Sequence, residues 1–261
     1  MSPISTARAY DPDAGTGDVT AARIADQLAF LSGWLPPPPA RILDAGCGRG
    51  DLARALGRAG YAVLGVDVDP VAVSAAATQG VAALVADLAD YRDEHPFDVV
   101  LCSLSLHHMA DLAGAVRRAW SLLRPGGTLV VDEFAWERAD AATAGWYHDL
   151  AAVLGAAGRL GPDPDAGPVE APHGHWVERH RDAYHLHPGV AVSTEIATLF
   201  DIQQTVRVPY LHRYLADRLD DDADGLALFT TLRQIERLRV ADGGLAPVGL
   251  RLLARARPEG N

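Results

Sequence analysis

Residues 42–50 read Ile-Leu-Asp-Ala-Gly-Cys-Gly-Arg-Gly, an apolar run closed by an acid and then glycines at alternate positions, followed by Asp51-Leu-Ala-Arg-Ala-Leu. This is a strand, a tight loop and a helix start, a place where backbone amides face a ligand. The pattern around it repeats the alternation. Apolar strand candidates at 41–44, 61–67, 81–86, 97–102 and 128–133 are separated by amphipathic or Ala-rich stretches. In the last stretch Leu112, Val116, Ala119, Trp120 and Leu123 share one stripe, with Arg117 and Arg118 off it. Strands that are almost wholly apolar and alternate with helices predict a doubly wound α/β fold with a mostly parallel sheet covered on both faces. Ligands of such sheets bind at the carboxyl ends of the strands, where Asp44, Asp67, Asp87 and Ser103 fall.

The glycine spacing selects among nucleoside cofactors. A dinucleotide site wants Gly-x-Gly-x-x-Gly, with the pyrophosphate on the helix N-terminus. Gly46 and Gly48 fit, but Asp51 holds the third place, and a carboxylate there repels a pyrophosphate. The set Gly46, Gly48, Gly50 instead suits a zwitterionic tail. Asp44 favours an ammonium, and Asp67, closing the run Tyr61-Ala-Val-Leu-Gly-Val-Asp67, accepts hydrogen bonds from two ribose hydroxyls. An amino acid joined to an adenosine describes S-adenosylmethionine. Asp69 is a rival for the ribose role, but Asp69-Pro70 has the form of a cap and first position of the next helix.

Five segments in order carry a resemblance to the class I S-adenosylmethionine-dependent methyltransferases. They are the glycine loop, Val66-Asp67-Val-Asp69-Pro70, Ala86-Asp87-Leu88, Phe97 through Cys102-Ser103 to His107-His108, and Leu123-Arg-Pro-Gly-Gly127-Thr-Leu-Val-Val131. The resemblance covers roughly residues 40 to 133. It implies a seven-stranded Rossmann-like methyltransferase sheet whose sixth and seventh strands are the runs 202–208 and 248–254, the last antiparallel. It assigns Gly46, Gly48 and Gly50 to the methionine part, Asp44 to the ammonium or the loop, and Asp67 to the ribose. Val68 is assigned to the adenine face, Asp87 and Leu88 to the adenine edge, and the Ser103 carbonyl to the ammonium.

Organisation follows the same reading. Residues 1–39 form an N-terminal lid and helix, the helix running from Asp18 and ending at Pro36–Pro39, and 40–137 form the cofactor-binding core. Residues 138–198 are expected as a helical cap insertion, and 199–261 as completion of the sheet with a second helical insertion at about 210–241. Tyr10 is a candidate lid residue over the cofactor, with surface placement the other reading.

Methyl transfer is an in-line displacement, so a protein must chiefly align the groups, exclude water and take up a proton where the nucleophile carries one. His107 and His108, after the fourth strand, are the candidate bases; packing on the cofactor and capping of the next helix is the alternative. Glu133 is a further candidate base or substrate anchor, or a structural acid. Five of the ten histidines, His173, His175, His180, His185 and His187, crowd into the expected cap with Trp176 and Tyr184. Trp176, His180 and Tyr184 at i, i+4 spacing are the candidate substrate-binding residues, with ordinary packing of the cap the other reading. No His-Glu-x-x-His pattern accompanies them, and the expected metal set is none.

Composition excludes other classes. With 34 acids against 23 Lys plus Arg, a net charge of −11 and no basic stripe, nucleic acid is a poor substrate. Two cysteines, Cys47 and Cys102, offer no disulfide framework, and no apolar run reaches membrane length. Met1-Ser-Pro-Ile-Ser-Thr lacks a basic-then-apolar signal, so a cytoplasmic location is expected, as monomer or homodimer. The expected function is S-adenosylmethionine-dependent methylation of a small molecule, a specialised metabolite among the options, at oxygen or nitrogen ahead of carbon, leaving S-adenosylhomocysteine. The alternatives are a nicotinamide-dependent oxidoreductase, which Asp51 opposes, and a non-catalytic protein that binds S-adenosylmethionine.

Overall fold

A computed structural model of the chain describes residues 19–161 and 170–258. Tyr10 lies outside the described residues. The first helix, α1 (Val19–Leu31), precedes β1 (Arg41–Ala45), α2 (Asp51–Arg58), β2 (Ala62–Asp67), α3 (Pro70–Thr78), β3 (Ala83–Val85) and β4 (Phe97–Ser103). Then come α4 (Leu112–Leu122), β5 (Leu123–Phe134), α5 (Ala141–Ala156), α6 (Pro172–Glu178), α7 (Gly189–Leu199), β6 (Phe200–Val208), α8 (Leu211–Ala216), α9 (Ala223–Ala241) and β7 (Gly249–Ala256).

The seven strands lie in the order β3-β2-β1-β4-β5-β7-β6. β1 to β5 pair in parallel, while β7 runs antiparallel to both β5 and β6. This is the Rossmann-like methyltransferase sheet that the strand rhythm and the resemblance predict. The strand order reverses between β1 and β4, so their carboxyl ends part and leave a crevice for a ligand. Central strands are apolar on both faces because helices cover both: Ile42 and Leu43 in β1, and Val99 to Cys102 in β4, are fully buried.

Apolar packing divides into a cluster on each face of the sheet and a third under the cap. Ile42, Leu56, Leu101 and Leu31 bring α1 and α2 onto one face. Val100, Val131 and Leu252 meet α4 and α7 on the other. The third cluster, with Phe134, Trp136, Tyr147, Trp176, Tyr210 and Leu211, joins α5, α6, α8 and α9 above the carboxyl ends.

The cap is smaller than the expected insertion 138–198. Helix α7 packs on α4, β6 and β7, and its Val192 and Ile196 are buried with Leu250 and Leu252 of the sheet core. A single apolar stripe along Val192 and Ile196 is what a sheet-covering helix needs, so α7 belongs to the core layer.

Candidate functional site

The β1 carboxyl end turns into the glycine loop, whose backbone is pinned to β2. Gly46 and Cys47 donate their N–H groups to the Val66 carbonyl at 2.8 and 3.1 Å, and Gly48 donates to Asp67 Oδ2 at 2.8 Å. Gly46 has φ of 80°, and a Cβ there would lie 2.3 Å from Ser105 Cβ, so only glycine lets β1 and the β4 exit meet. Gly48 has φ of 53°, and a Cβ there would meet nothing within 4 Å: its backbone faces open space. Gly50 caps α2, and Asp51 occupies the first turn, adding negative charge where a dinucleotide pyrophosphate would sit.

A cavity of about 980 Å³ opens over this loop, within the range of small-molecule sites. Asp44, Gly46, Gly48, Ser103, Leu104 and Arg213 line it. Its roof comes from α1, through Arg23 and Gln27, and from the α8–α9 connection, Asp217 to Asp222. Roof and floor are tied. Gln27 Nε2 donates to Ser103 Oγ at 2.8 Å, the Val19 N–H donates to Asp221 at 2.8 Å, and Arg23 pairs with Asp217 at 2.8 Å.

Asp44 is 2% exposed, and its Oδ2 is buried with no hydrogen-bond partner among the described residues. Burial first, and the neighbouring Asp67 carboxylate second, push its pKa up to about 7. A lone buried carboxylate beside a glycine cradle calls for a cation that donates hydrogen bonds, which is what an amino-acid ammonium offers. Asp67 accepts from the Gly48 and Asp69 N–H groups, one on each oxygen, leaving lone pairs on both for hydroxyl donors. Asp69 caps α3 by accepting from the Val71 N–H at 2.8 Å, with Pro70 at the first helical position. The donors and acceptors of this loop therefore fit S-adenosylmethionine. The Cys47 thiol, pushed up to about 12 by burial and then by Asp44 and Asp67, stays protonated.

Other expected site residues lie apart from the cavity wall. Asp87 follows β3, where its carboxylate takes the Ala89 N–H at 2.9 Å, and the Ala86 N–H bonds the Asp67 carbonyl at 2.9 Å. Leu88 is buried in the sheet core, while Val68 is 65% exposed beside the loop. Glu133 is buried under the β4 exit. It accepts from the Ser105 and Leu106 N–H groups at 3.0 and 2.7 Å and holds His107 Nδ1. Glu133 and His107 thus brace the 3-10 turn Leu106–His108 rather than face the cavity. The His108 ring stands over His107 and is exposed, with partial desolvation and then the His107 charge lowering its pKa.

The histidine run disperses in space. His180 sits in the aromatic cap core, its Nδ1–H donating to the Trp176 carbonyl at 2.6 Å and its Nε2 accepting from the Tyr214 hydroxyl at 3.1 Å. Burial takes its pKa down to about 3, so the ring is neutral. Trp176 is 1% exposed, Tyr184 is surface-facing, and neither lines the cavity. His173 and His187 are spent on the Ala139 and Met109 carbonyls. Among the described residues no group of three or more His, Cys, Asp or Glu could hold a metal.

Gln27, Leu104 and Arg213 are among the wall residues that the site motifs do not mark. Gln27 interrupts the apolar face of α1, and Arg213 is a base flanked by buried Leu211 and Leu215; a polar residue on a core stripe is the available signal. Leu104, with φ of 57°, is visible only in the backbone.

Known proteins match this arrangement. A family model described as a methyltransferase domain matches residues 19–159, more than half of the chain. The chain is 35% identical over 111 residues to a ubiquinone biosynthesis O-methyltransferase of Xanthomonas campestris pv. campestris, covering 40% of this chain and 46% of that protein. A protein of the same name from Xylella fastidiosa is 35% identical over 115 residues. The chain thus spans about half the length of these relatives. Among solved structures, an S-adenosylmethionine-dependent methyltransferase from Mesorhizobium loti superposes with TM-score 0.54 at 20% identity, over 92% of this chain and 98% of that one. Geranyl diphosphate C-methyltransferase from Streptomyces coelicolor gives TM-score 0.56 at 15% identity, over 89% and 79%. Loop, strand order and family match agree, and the chain belongs to the class I S-adenosylmethionine-dependent methyltransferases.

Proposed function

We propose that the chain methylates a small molecule held in the cavity between the sheet rim and the cap. The observation that carries this reading is the cavity itself, which the Asp44–Gly48 cradle and Arg213 both line, with ties at Gln27, Val19 and Arg23 holding α1 over it. Bound at the cradle, S-adenosylmethionine supplies a methyl group on a good leaving group. Asp44 holds the ammonium, Asp67 takes the ribose hydroxyls, and the exposed Val68 after β2 and the turn after β3 at Asp87 border the adenine, with the Leu88 side chain buried beneath. Helix α1 and the α8–α9 connection exclude water and hold an acceptor in line, which is the main catalytic demand of a displacement.

No imidazole lines the cavity wall among the described residues. We therefore give Glu133 and His107 a positioning role: they fix the turn Ser105–His108 that directly follows the wall residues Ser103 and Leu104. The relatives' name supports oxygen as the methylated atom. The acidic charge of the chain supports an enzyme of small molecules over one of nucleic acids.

Calorimetry with S-adenosylmethionine, S-adenosylhomocysteine and NADH tests the cofactor. Saturable binding of the first two and none of the third is expected, and NADH binding alone overturns the reading. Mass spectrometry of small phenols, amines and carboxylic acids incubated with enzyme and S-adenosylmethionine then reads a gain of one methyl. Cofactor binding with no methylation across hydroxyl, amine and carbon acceptors would favour a binding protein.

A further inference from the structure

Arg213, on α8, is 5% exposed and stands in the cavity wall. Its Nη1 donates to Asp132 Oδ2 at 2.8 Å, but Nε and Nη2 are buried with no hydrogen-bond partner among the described residues. Asp132 does not neutralise it fully, because the other carboxylate oxygen takes Arg251 Nε at 3.1 Å. One buried carboxylate therefore serves two guanidiniums and leaves one positive charge over. The other groups nearby do not cancel it: Tyr210 offers its ring, 5.3 Å from the guanidinium, Asp26 is paired with Arg233, and Asp217 with Arg23.

Burying a guanidinium with two unused nitrogens is strongly unfavourable unless something else satisfies them. Nε–H and one Nη2–H lie parallel along one edge of the planar group, the fork that matches the two oxygens of a carboxylate. We propose that this edge of Arg213 receives a carboxylate of the acceptor, so that the molecule methylated is a carboxylic acid. The assignment rests on the methyltransferase reading and names the substrate class within it. A monoanion matches the single positive charge left over better than a phosphate dianion does.

The test titrates protein saturated with S-adenosylhomocysteine with benzoate, 4-hydroxybenzoate, phenylacetate and short alkyl carboxylates, their primary amides, and phenyl phosphate. At least one carboxylate is expected to bind tenfold or more tightly than its amide and more tightly than phenyl phosphate. Arg213→Met should abolish that preference while S-adenosylhomocysteine affinity stays within about twofold. Arg213→Lys, which keeps the charge facing Asp132 but lacks the fork, should reduce the preference; it serves if the methionine variant fails to fold, as judged by its melting curve. Equal binding of acid and amide, no carboxylate binding, a preference for phenyl phosphate, or a preference that survives in both variants overturns the proposal. So does a parallel loss of S-adenosylhomocysteine affinity, which would give the fork to the cofactor's own carboxylate. Failure of the wild-type protein to bind S-adenosylhomocysteine is seen in the first titration and counts against the methyltransferase reading instead.

Discussion

Gly48 donates its backbone N–H to Asp67 Oδ2 at 2.8 Å, so the residue expected to take the ribose also closes the glycine loop against β2. Asp67→Ala removes both functions at once. We expect S-adenosylhomocysteine affinity to fall by at least a hundredfold, since two hydroxyl contacts to a charged acceptor and the loop geometry are lost together. Asp67→Asn, which keeps an acceptor for Gly48, should lose less. Calorimetry on both variants checks the order, and wild-type affinity in the alanine variant would remove Asp67 from the site.

Asp44 carries a pH dependence of defined sign. Its carboxyl titrates near 3.8 when unfolded and is raised to about 7 in the fold. The unliganded folded state thus holds a proton that the unfolded chain releases. This group's contribution to stability is intact below pH 3.8 and falls as pH rises through 7, by roughly 4 kcal/mol in all. Asp44→Asn should therefore make the unliganded protein more stable than wild type at pH 8, while S-adenosylhomocysteine binding weakens. Wild-type affinity should drop about tenfold per pH unit below about 7, as the carboxylate that receives the ammonium is protonated. Denaturant melts at pH 5 and 8 and calorimetry across that interval read both effects. A flat affinity profile would remove Asp44 as the ammonium partner.

Legibility in the sequence tracked how local each interaction is. The antiparallel last strand follows from the family resemblance, while the strand, loop and helix start at the glycines and the cap at Asp69-Pro70 depend on short-range chemistry, and each was readable. The roof of the cavity was not. Gln27 reaches Ser103 across 76 positions and Arg213 reaches Asp132 across 81, partners that only the folded sheet brings together. Adjacency along 173–187 likewise says nothing of the separate carbonyls that His173, His180 and His187 bond. Helix α7 falls within the range expected as cap, yet its buried Val192 and Ile196 pack into the sheet core.

Glu236 holds the cap together. Fully buried in α9, its carboxylate takes the N–H groups of Tyr210, Leu211 and His212 at 2.7, 2.8 and 2.9 Å, and His212 Nδ1 at 2.6 Å. These are the orphan donors at the start of α8, the helix that carries Arg213. Glu236→Ala leaves them unsatisfied in a dry interior and should cost about 3 kcal/mol or more, a fall in Tm of roughly 10 °C. Glu236→Gln keeps one good acceptor and should lose about half as much. A change under 1 kcal/mol in the alanine variant, by denaturant melts, would mean that α8 is held by packing alone.

Glu133 and His107 separate a positioning role from proton transfer. Glu133→Ala strands the Ser105 and Leu106 N–H groups and the buried His107 ring, and should destabilise the protein by about 3–5 kcal/mol. His107→Ala should also lower stability, whereas His108, exposed and with no such brace, should tolerate alanine with an unchanged melting curve. If the pair only braces the wall, His107→Ala shifts KM and kcat together with an unaltered pH profile, and His108→Ala leaves turnover within about threefold. A base would behave differently: losing it should lower kcat by a hundredfold or more and erase the acidic limb of the pH–rate curve. Steady-state rates from pH 5.5 to 9 on both variants, measured below their melting temperatures, distinguish the two outcomes. Loss of the acidic limb in either one would make that histidine the proton acceptor.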